Sequence, residues 1–211
     1  MHLSKRLMAI ANLIDTKSII DVGCDHALLD IYLTKEKKIK CVGTDISARV
    51  LENAANNIKK HFLKDEINFI LTDGLENVQI KKSDTIIIAG MGTTTILKIL
   101  EKFNLNNKLI ICSNNELKKL RKKIVKKNYF IVDEIVIFEK GHYYVIIKFE
   151  KGKRKYSKWD YLFGPISKKN KDYLKFLYNK YNSILNKLPN KYILKKIKIF
   201  LIINKIKKLN K

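Results

Sequence analysis

The sequence predicts an α/β fold: a mostly parallel, Rossmann-like sheet that ends in an antiparallel hairpin, plus a small C-terminal all-helical, coiled-coil-like domain. Three observations carry this. Short apolar runs alternate with helically spaced segments through residues 1–150. Two β-rich runs, 129–139 and 142–150, then follow with only Lys140 and Gly141 between them. Residues 166–211 repeat apolar positions at helical spacing on both sides of the turn Leu188-Pro189-Asn190.

The elements follow in order. Residues 1–14 read as a first amphipathic helix rather than a signal peptide, since no apolar core and small-residue cleavage site are present. The apolar runs at 18–22, 39–44, 67–71, 85–89 and 109–112 read as strands, and those such as IIIA and KLIIC are apolar throughout, which suits burial on both faces. Residues 27–34, 48–60, 93–103 and 116–127 have helical spacing between them, so right-handed crossovers are expected. Lys-Gly joins the last two strands as a hairpin. A parallel sheet ending this way is unusual for nucleotide-binding oxidoreductases and resembles the class I methyltransferase sheet. Residues 151–165 are basic and irregular and read as a linker, stopped by Gly164-Pro165. Ile166, Tyr173, Leu177, Tyr181, Ile184 and Leu188 then step by 7, 4, 4, 3 and 4 along one helical face. A second helix runs from about 191 to 209 with Ile193, Ile197, Phe200 and Ile203 inward. The sheet should be complete at Glu150, which makes the tail an appendage.

Composition narrows the function. Of 211 residues, 44 are Lys or Arg and 20 are Asp or Glu, a net charge of +24, so a polyanion is the first partner to consider. Residues 1–150 carry only +7 of this and residues 151–211 carry +17. An AT-rich codon bias would favour Lys over Arg but would not unbalance the charge. The three cysteines, 24, 41 and 112, have no disulfide or zinc spacing. No apolar run approaches the roughly 18 residues of a membrane span. A soluble, cytoplasmic protein without metal or membrane partner is expected, and a monomer.

The chemistry concentrates at strand ends. Asp21-Val-Gly23-Cys24-Asp25-His26-Ala27 closes the first strand, where a Rossmann-type sheet binds its nucleoside. Gly23 lets the backbone approach a ligand. A dinucleotide fingerprint needs glycine where Asp25 and Ala27 stand, and Asp25 would repel a pyrophosphate while welcoming a cation. Asp45 ends the second strand, 24 residues after Asp21, placed for ribose hydroxyls or as a helix cap, a task for which Ser47 is better placed. Asp73-Gly74 follows the third strand, Gly90-Met91-Gly92 the fourth, and Cys112-Ser113-Asn114-Asn115 the fifth. Asp73 suits an adenine amino group, and Asn114 either contacts a base or leaves Asn115 or Ser113 to cap the next helix. His26 is a candidate base, though a loop histidine is more often packed or solvated. Cys24 reads as a small filler. No metal site is proposed.

LSKRL, DVGCDHALL, TDGL, IIIAGMG, the strand ending in Asn114, and FGP before a helical tail occur in this order, and the sequence resembles the bacterial tRNA adenine-N(1)-methyltransferases that act at position 22. It departs from them at Thr93, where a glycine is frequent, and at Cys112-Ser113-Asn114, where Gln-Pro-Asn is frequent. The resemblance implies methylation of tRNA at adenine N(1) with S-adenosyl-L-methionine as cofactor. It implies cofactor contacts from Asp21, Gly23, Cys24, Asp25, Asp45, Ile46, Asp73, Gly74, Gly90 and Met91. Asp25, His26 and Asn114 would be catalytic. The domains would be 1–150 for the cofactor, 151–165 as basic linker and 166–211 as a tRNA-binding helical hairpin. Phosphates would meet Lys5 and Arg6, residues 118–127 with Arg121 and Lys122, and residues 151–158 with Arg154 and Lys155. Two alternatives stay open: another RNA methyltransferase, and a basic nucleic-acid-binding protein with a vestigial pocket.

Overall fold

The computed structural model describes residues 3–210. The elements are α1 (Lys5–Leu13), β1 (Ser18–Val22), α2 (Leu28–Lys37), β2 (Lys40–Asp45), α3 (Ala48–Lys60), β3 (Ile67–Leu71), β4 (Thr85–Met91), α4 (Thr93–Glu101), β5 (Lys108–Ser113), α5 (Leu117–Lys126), β6 (Tyr129–Glu139) and β7 (His142–Lys151). Three further α-helices follow, α6 (Lys158–Phe163), α7 (Lys171–Lys187) and α8 (Ile193–Leu209), with a 3-10 turn at Ser167–Lys169 before α7. The seven strands form one sheet in the order β3-β2-β1-β4-β5-β7-β6. All neighbours are parallel except β7, which runs antiparallel between β5 and β6.

Strand alternation divides the core. Ile20, Ile86, Ile88, Leu109, Ile111 and Ile147 point to one face of the sheet, towards α4, α5 and the tail helices. Ile19, Ile87, Ile110, Cys112 and Ile146 point to the other, towards α1, α2 and α3. Adjacent residues of one strand thus serve opposite layers, which explains why these strands are apolar without interruption. β7 to β6 is a ten-residue antiparallel register from Tyr129↔Lys151 to Glu139↔His142. Lys140 and Gly141 turn it, both with positive φ, 49° and 80°.

The tail differs from its sequence reading in three ways. Residues 151–165 are not an irregular loop throughout: Ser157 and Asp160 form a capping box that starts α6, and Phe163 is fully buried in the sheet's core. Tyr173, Leu174, Leu177 and Ile206 join the same core, so the tail shares it rather than standing apart as an appendage. On α8 only Ile203 and Ile206 of the apolar residues are buried. Ile193, Ile197 and Phe200, expected inward, are exposed. Apolar residues occur on every side of α8, so spacing alone did not identify the packed face.

A buried ion pair holds this joint. Arg121 on α5 and Glu134 on β6 are both fully buried, with Nε and Oε1 2.6 Å apart. Arg121 Nη1 donates to the Tyr161 carbonyl at 3.3 Å. Glu134 Oε2 accepts from the Ile166 and Ser167 amides at 3.1 and 3.0 Å. Gly164 passes over the pair at φ 86°, where a side chain would strike both charged groups. Arg121 is therefore a structural residue and not an RNA contact, a correction to the sequence reading. Its position among lysines suggested a surface charge, but its slot on α5 faces inward.

Removing one partner leaves an uncompensated buried charge. Glu134→Ala is expected to lose about 3–5 kcal/mol of unfolding free energy, and Arg121→Met with Glu134→Leu clearly less. Urea denaturation of the three proteins decides this, and equal losses for the single and double variants would contradict it.

Candidate active site

The cavity of interest opens where β1, β2 and β4 end. It has a volume of about 440 Å³ and is lined by Asp21, Gly23, Cys24, Asp25, His26, Asp45, Gly90 and Met91, with Arg6, Leu7, Leu28, Leu29, Val50 and Ala89. That volume falls within the roughly 300–1,000 Å³ of small-ligand sites.

The turn after β1 shapes it. The Gly23 and Cys24 amides both donate to the Thr44 carbonyl, at 2.8 and 3.1 Å, which draws the turn over the end of β2. Gly23 has φ 77°, and a side chain there would collide with the Met91 terminal methyl. Asp25 and Ala27 are also left-handed, at φ 51° and 54°. Two such non-glycine residues in three positions are strain of the kind that concentrates at ligand sites. Asn57 on α3 pins the turn by donating to the His26 carbonyl at 3.0 Å. The turn leaves the Asp25 and His26 side chains exposed, 3.7 Å apart.

Beneath the turn the site is acidic. Burial, reinforced by the Asp25 charge, pushes Asp21 up to about 7. Asp30, in the first turn of α2, is fully buried with neither carboxyl oxygen hydrogen-bonded, and burial followed by Asp21 raises it well above the carboxylate range. Burial first, then Asp30, Asp21 and Asp45, raise the Cys24 thiol. Cys24 is thus a neutral filler, as its sequence context suggested, with no thiolate to offer.

At the end of β2 one oxygen of Asp45 accepts the Ser47 amide at 2.9 Å, while the Ser47 hydroxyl caps α3 through Val50. The cap is therefore Ser47, and Asp45 has its other oxygen free to face the cavity. Ile46, Asp73 and Gly74 lie outside the cavity wall. Asp73 faces Lys102 at 3.4 Å, and the Gly74 carbonyl accepts the Thr44 hydroxyl at 2.9 Å.

A second depression, about 740 Å³, adjoins the first, and Arg6 and Gly90 line both. Asn114 stands on its floor. Its amide side chain donates to the Gly90 carbonyl at 2.7 Å and its backbone N–H to Met91 at 3.0 Å. Asn115 does cap a helix, but it is α4 and not the following one: its Oδ1 accepts the Thr93 amide at 2.9 Å. Thr93, in place of a glycine, is held by the Asn115 carbonyl at 2.7 Å and the Ser113 hydroxyl at 2.8 Å. Sequence reasoning placed Arg6 on a phosphate-binding surface. Its guanidinium lies over Tyr144, 5.1 Å from the ring centroid, and it walls both depressions. The hydrophobic wall from Leu7, Leu28, Leu29 and Val50 was missed, since nothing in the sequence distinguishes these from core residues. Lys5, Lys122, Arg154 and Lys155 are exposed. No group of His, Cys, Asp and Glu suited to a metal ion occurs among the described residues.

A sheet with this strand order, and an acid-lined cavity across its carboxyl edge, define a class I, S-adenosylmethionine-dependent methyltransferase. The methyltransferase-domain family matches residues 3–147. The tRNA (adenine(22)-N(1))-methyltransferase of Bacillus subtilis is 31% identical over 160 residues, 73% of this chain and 67% of that protein. The solved M. capricolum TrmK, in complex with S-adenosyl-homocysteine, has 36% identity and a TM-score of 0.85, covering 99% of this chain and 97% of the other. The solved B. subtilis m1A22 tRNA methyltransferase TrmK has 25% identity and a TM-score of 0.86, over 100% and 99%. The chain belongs to the family of tRNA (adenine(22)-N(1))-methyltransferases.

Two outcomes follow from the site. Asp45→Ala should weaken S-adenosylmethionine binding about tenfold or more without unfolding the protein, and calorimetry showing unchanged affinity would remove Asp45 from the ribose role. In the folded protein Asp21 and Asp30 hold protons that the unfolded chain, near 3.8, has released. Rising pH therefore favours unfolding, for Asp21 across 3.8 to about 7. Asp30→Leu should be more stable than the native protein by about 1–3 kcal/mol, with the gain growing between pH 4 and pH 8 in urea titrations. A gain independent of pH would show that Asp30 does not titrate with folding.

Proposed function

We infer that this protein transfers the methyl group of S-adenosyl-L-methionine to N(1) of adenosine 22 in tRNA. The observation that carries this reading is the continuity of the acid-lined cavity with the Asn114 depression through Gly90 and Arg6, in a chain of this family.

The residues suit the cofactor. Asp21, Asp25 and Asp45 offer carboxyl groups to a ligand that is cationic at sulfur and nitrogen and carries a ribose diol. Asp45 would take the ribose hydroxyls, Gly23 and Cys24 would let it lie against the backbone, and Ile46, Asp73 and Gly74 would receive its adenine beyond the cavity wall. When bound, the cofactor supplies an activated methyl carbon whose bond to sulfur breaks as the bond to nitrogen forms.

The target needs little activation. Adenine N(1) carries a lone pair at neutral pH, so alignment supplies much of the rate. Asn114 already bonds the Gly90 carbonyl and would exchange that contact for the base edge. Methylation leaves the ring cationic, and Asp25, exposed at the mouth, would face that charge, with His26 beside it. The N(1) edge takes part in pairing, so the base must be drawn out of the RNA fold.

The rest of the surface supports a polyanion. Lys118, Lys119, Lys122, Lys123 and Lys126 share one face of α5, and Lys5, Arg154 and Lys155 add exposed cations. Residues 1–150 serve as the cofactor-binding part and 166–211 as the RNA-gripping part, even though the two share a core. The protein acts as a monomer in the cytoplasm, where tRNA is found.

Incubation with labelled S-adenosylmethionine and total tRNA, followed by nucleoside mapping, should give 1-methyladenosine at position 22. Label in another nucleoside, or none, would overturn the reading. Asp25→Ala should cut turnover by about a hundredfold, the scale of one positioned charge or proton acceptor, and leave tRNA affinity unchanged. Near-native turnover would take Asp25 out of the chemistry.

A further inference from the structure

One wall of the Asn114 depression has no part in methyl transfer. It joins the tip of the β6–β7 hairpin to one face of α7. Tyr143 on β7 sits between Phe138 on β6 and Phe176 on α7, with ring centroids 4.8 Å away on each side. Phe138 is 54% exposed and Phe176 40% exposed, so two phenyl rings stand in water beside a half-buried tyrosine. Lys180, one turn along α7, and Lys118, at the start of α5, line the same depression with exposed ammonium groups.

Aromatic faces between lysines are what single-stranded nucleic acid binds: the rings stack on bases, the ammonium groups neutralise phosphates. We propose that this ledge receives a nucleotide flanking the methylated adenosine, its base stacked on Phe176 and its phosphates met by Lys118 and Lys180. The proposal rests on the tRNA reading above and adds to it a second contact for the same substrate. Its physical need is plain. Drawing one base out of an RNA stack leaves its neighbours without a partner face, and a ledge continuous with Gly90 and Asn114 is within reach to supply one. An acidic peptide could satisfy the lysines, but it would make no use of open ring faces beside a base-sized depression.

The test uses the full chain and tRNA transcripts with 2-aminopurine placed immediately 5′ or 3′ of the methylated adenosine. With the native protein, fluorescence at one of these positions should be quenched on binding. Phe176→Ala should abolish that quenching and raise the tRNA Kd about tenfold, within the range of a lost base–aromatic stack. Phe176→Trp should restore both. S-adenosylmethionine affinity and the salt dependence of tRNA binding should stay as in the native protein, since no charge is removed. If native protein methylates tRNA but quenches neither position, or Phe176→Ala binds tRNA normally, the ledge is not a stacking site and the enzymatic reading stands. If native protein does not methylate tRNA at all, the enzymatic reading fails first and the ledge falls with it.

Discussion

The buried pair of Arg121 and Glu134 fixes how the last quarter of the chain meets the sheet. It ties α5, β6 and the backbone of residues 161–167 into one unit, and Gly164 is the only kind of residue that can pass above it. Once Ile166 and Ser167 are anchored there, α7 begins in a fixed place and Tyr173, Leu174 and Leu177 can enter the core. The wall that α7 presents to the Asn114 depression depends on that placement. A charge pair with little net energy of its own thus determines geometry, because any misplacement would leave both charges buried and unpaired.

The molecule carries two opposite fields. Its surface is strongly positive, with +24 overall, while the cavity at the carboxyl edge of the sheet gathers Asp21, Asp25 and Asp45 above the buried Asp30. Each field selects its own ligand. The outside attracts a polyanion, and the carboxylates of the cavity suit a cationic ligand better than a phosphate. The two depressions meet at Gly90 and Arg6.

Most of the sheet was legible because parallel strands buried on both faces read as unbroken apolar runs, and β1 and β3 coincide with the runs at 18–22 and 67–71. The same holds for α3, whose cap at Ser47 is visible in the sequence. The turn after β1 was legible as a tight strand-to-helix turn at the carboxyl edge, where Gly23, Cys24 and Asp25 do line the cavity. The tail was less so. In α8, isoleucine, leucine and phenylalanine occupy all sides, and which of them pack depends on α7 and the sheet. Arg121 looked like its lysine neighbours because the carboxylate that buries it lies thirteen residues away in sequence, on a strand. Asn115 caps α4 across the sheet edge, a contact between distant segments that no local pattern encodes.

The turn from Gly23 to Ala27 holds two side-chain-bearing residues in a conformation that glycine adopts freely, at a cost on the order of 1–3 kcal/mol each. For Asp25 the expense has an object, because a carboxylate is displayed at the cavity mouth. For Ala27 it does not: its side chain is fully buried and apolar. Directed evolution for heat tolerance would therefore find relief at Ala27 cheaply and at Asp25 only by surrendering the charge. Within five residues, the protein separates a place where relief of strain removes no functional group from one where it would remove an exposed carboxylate.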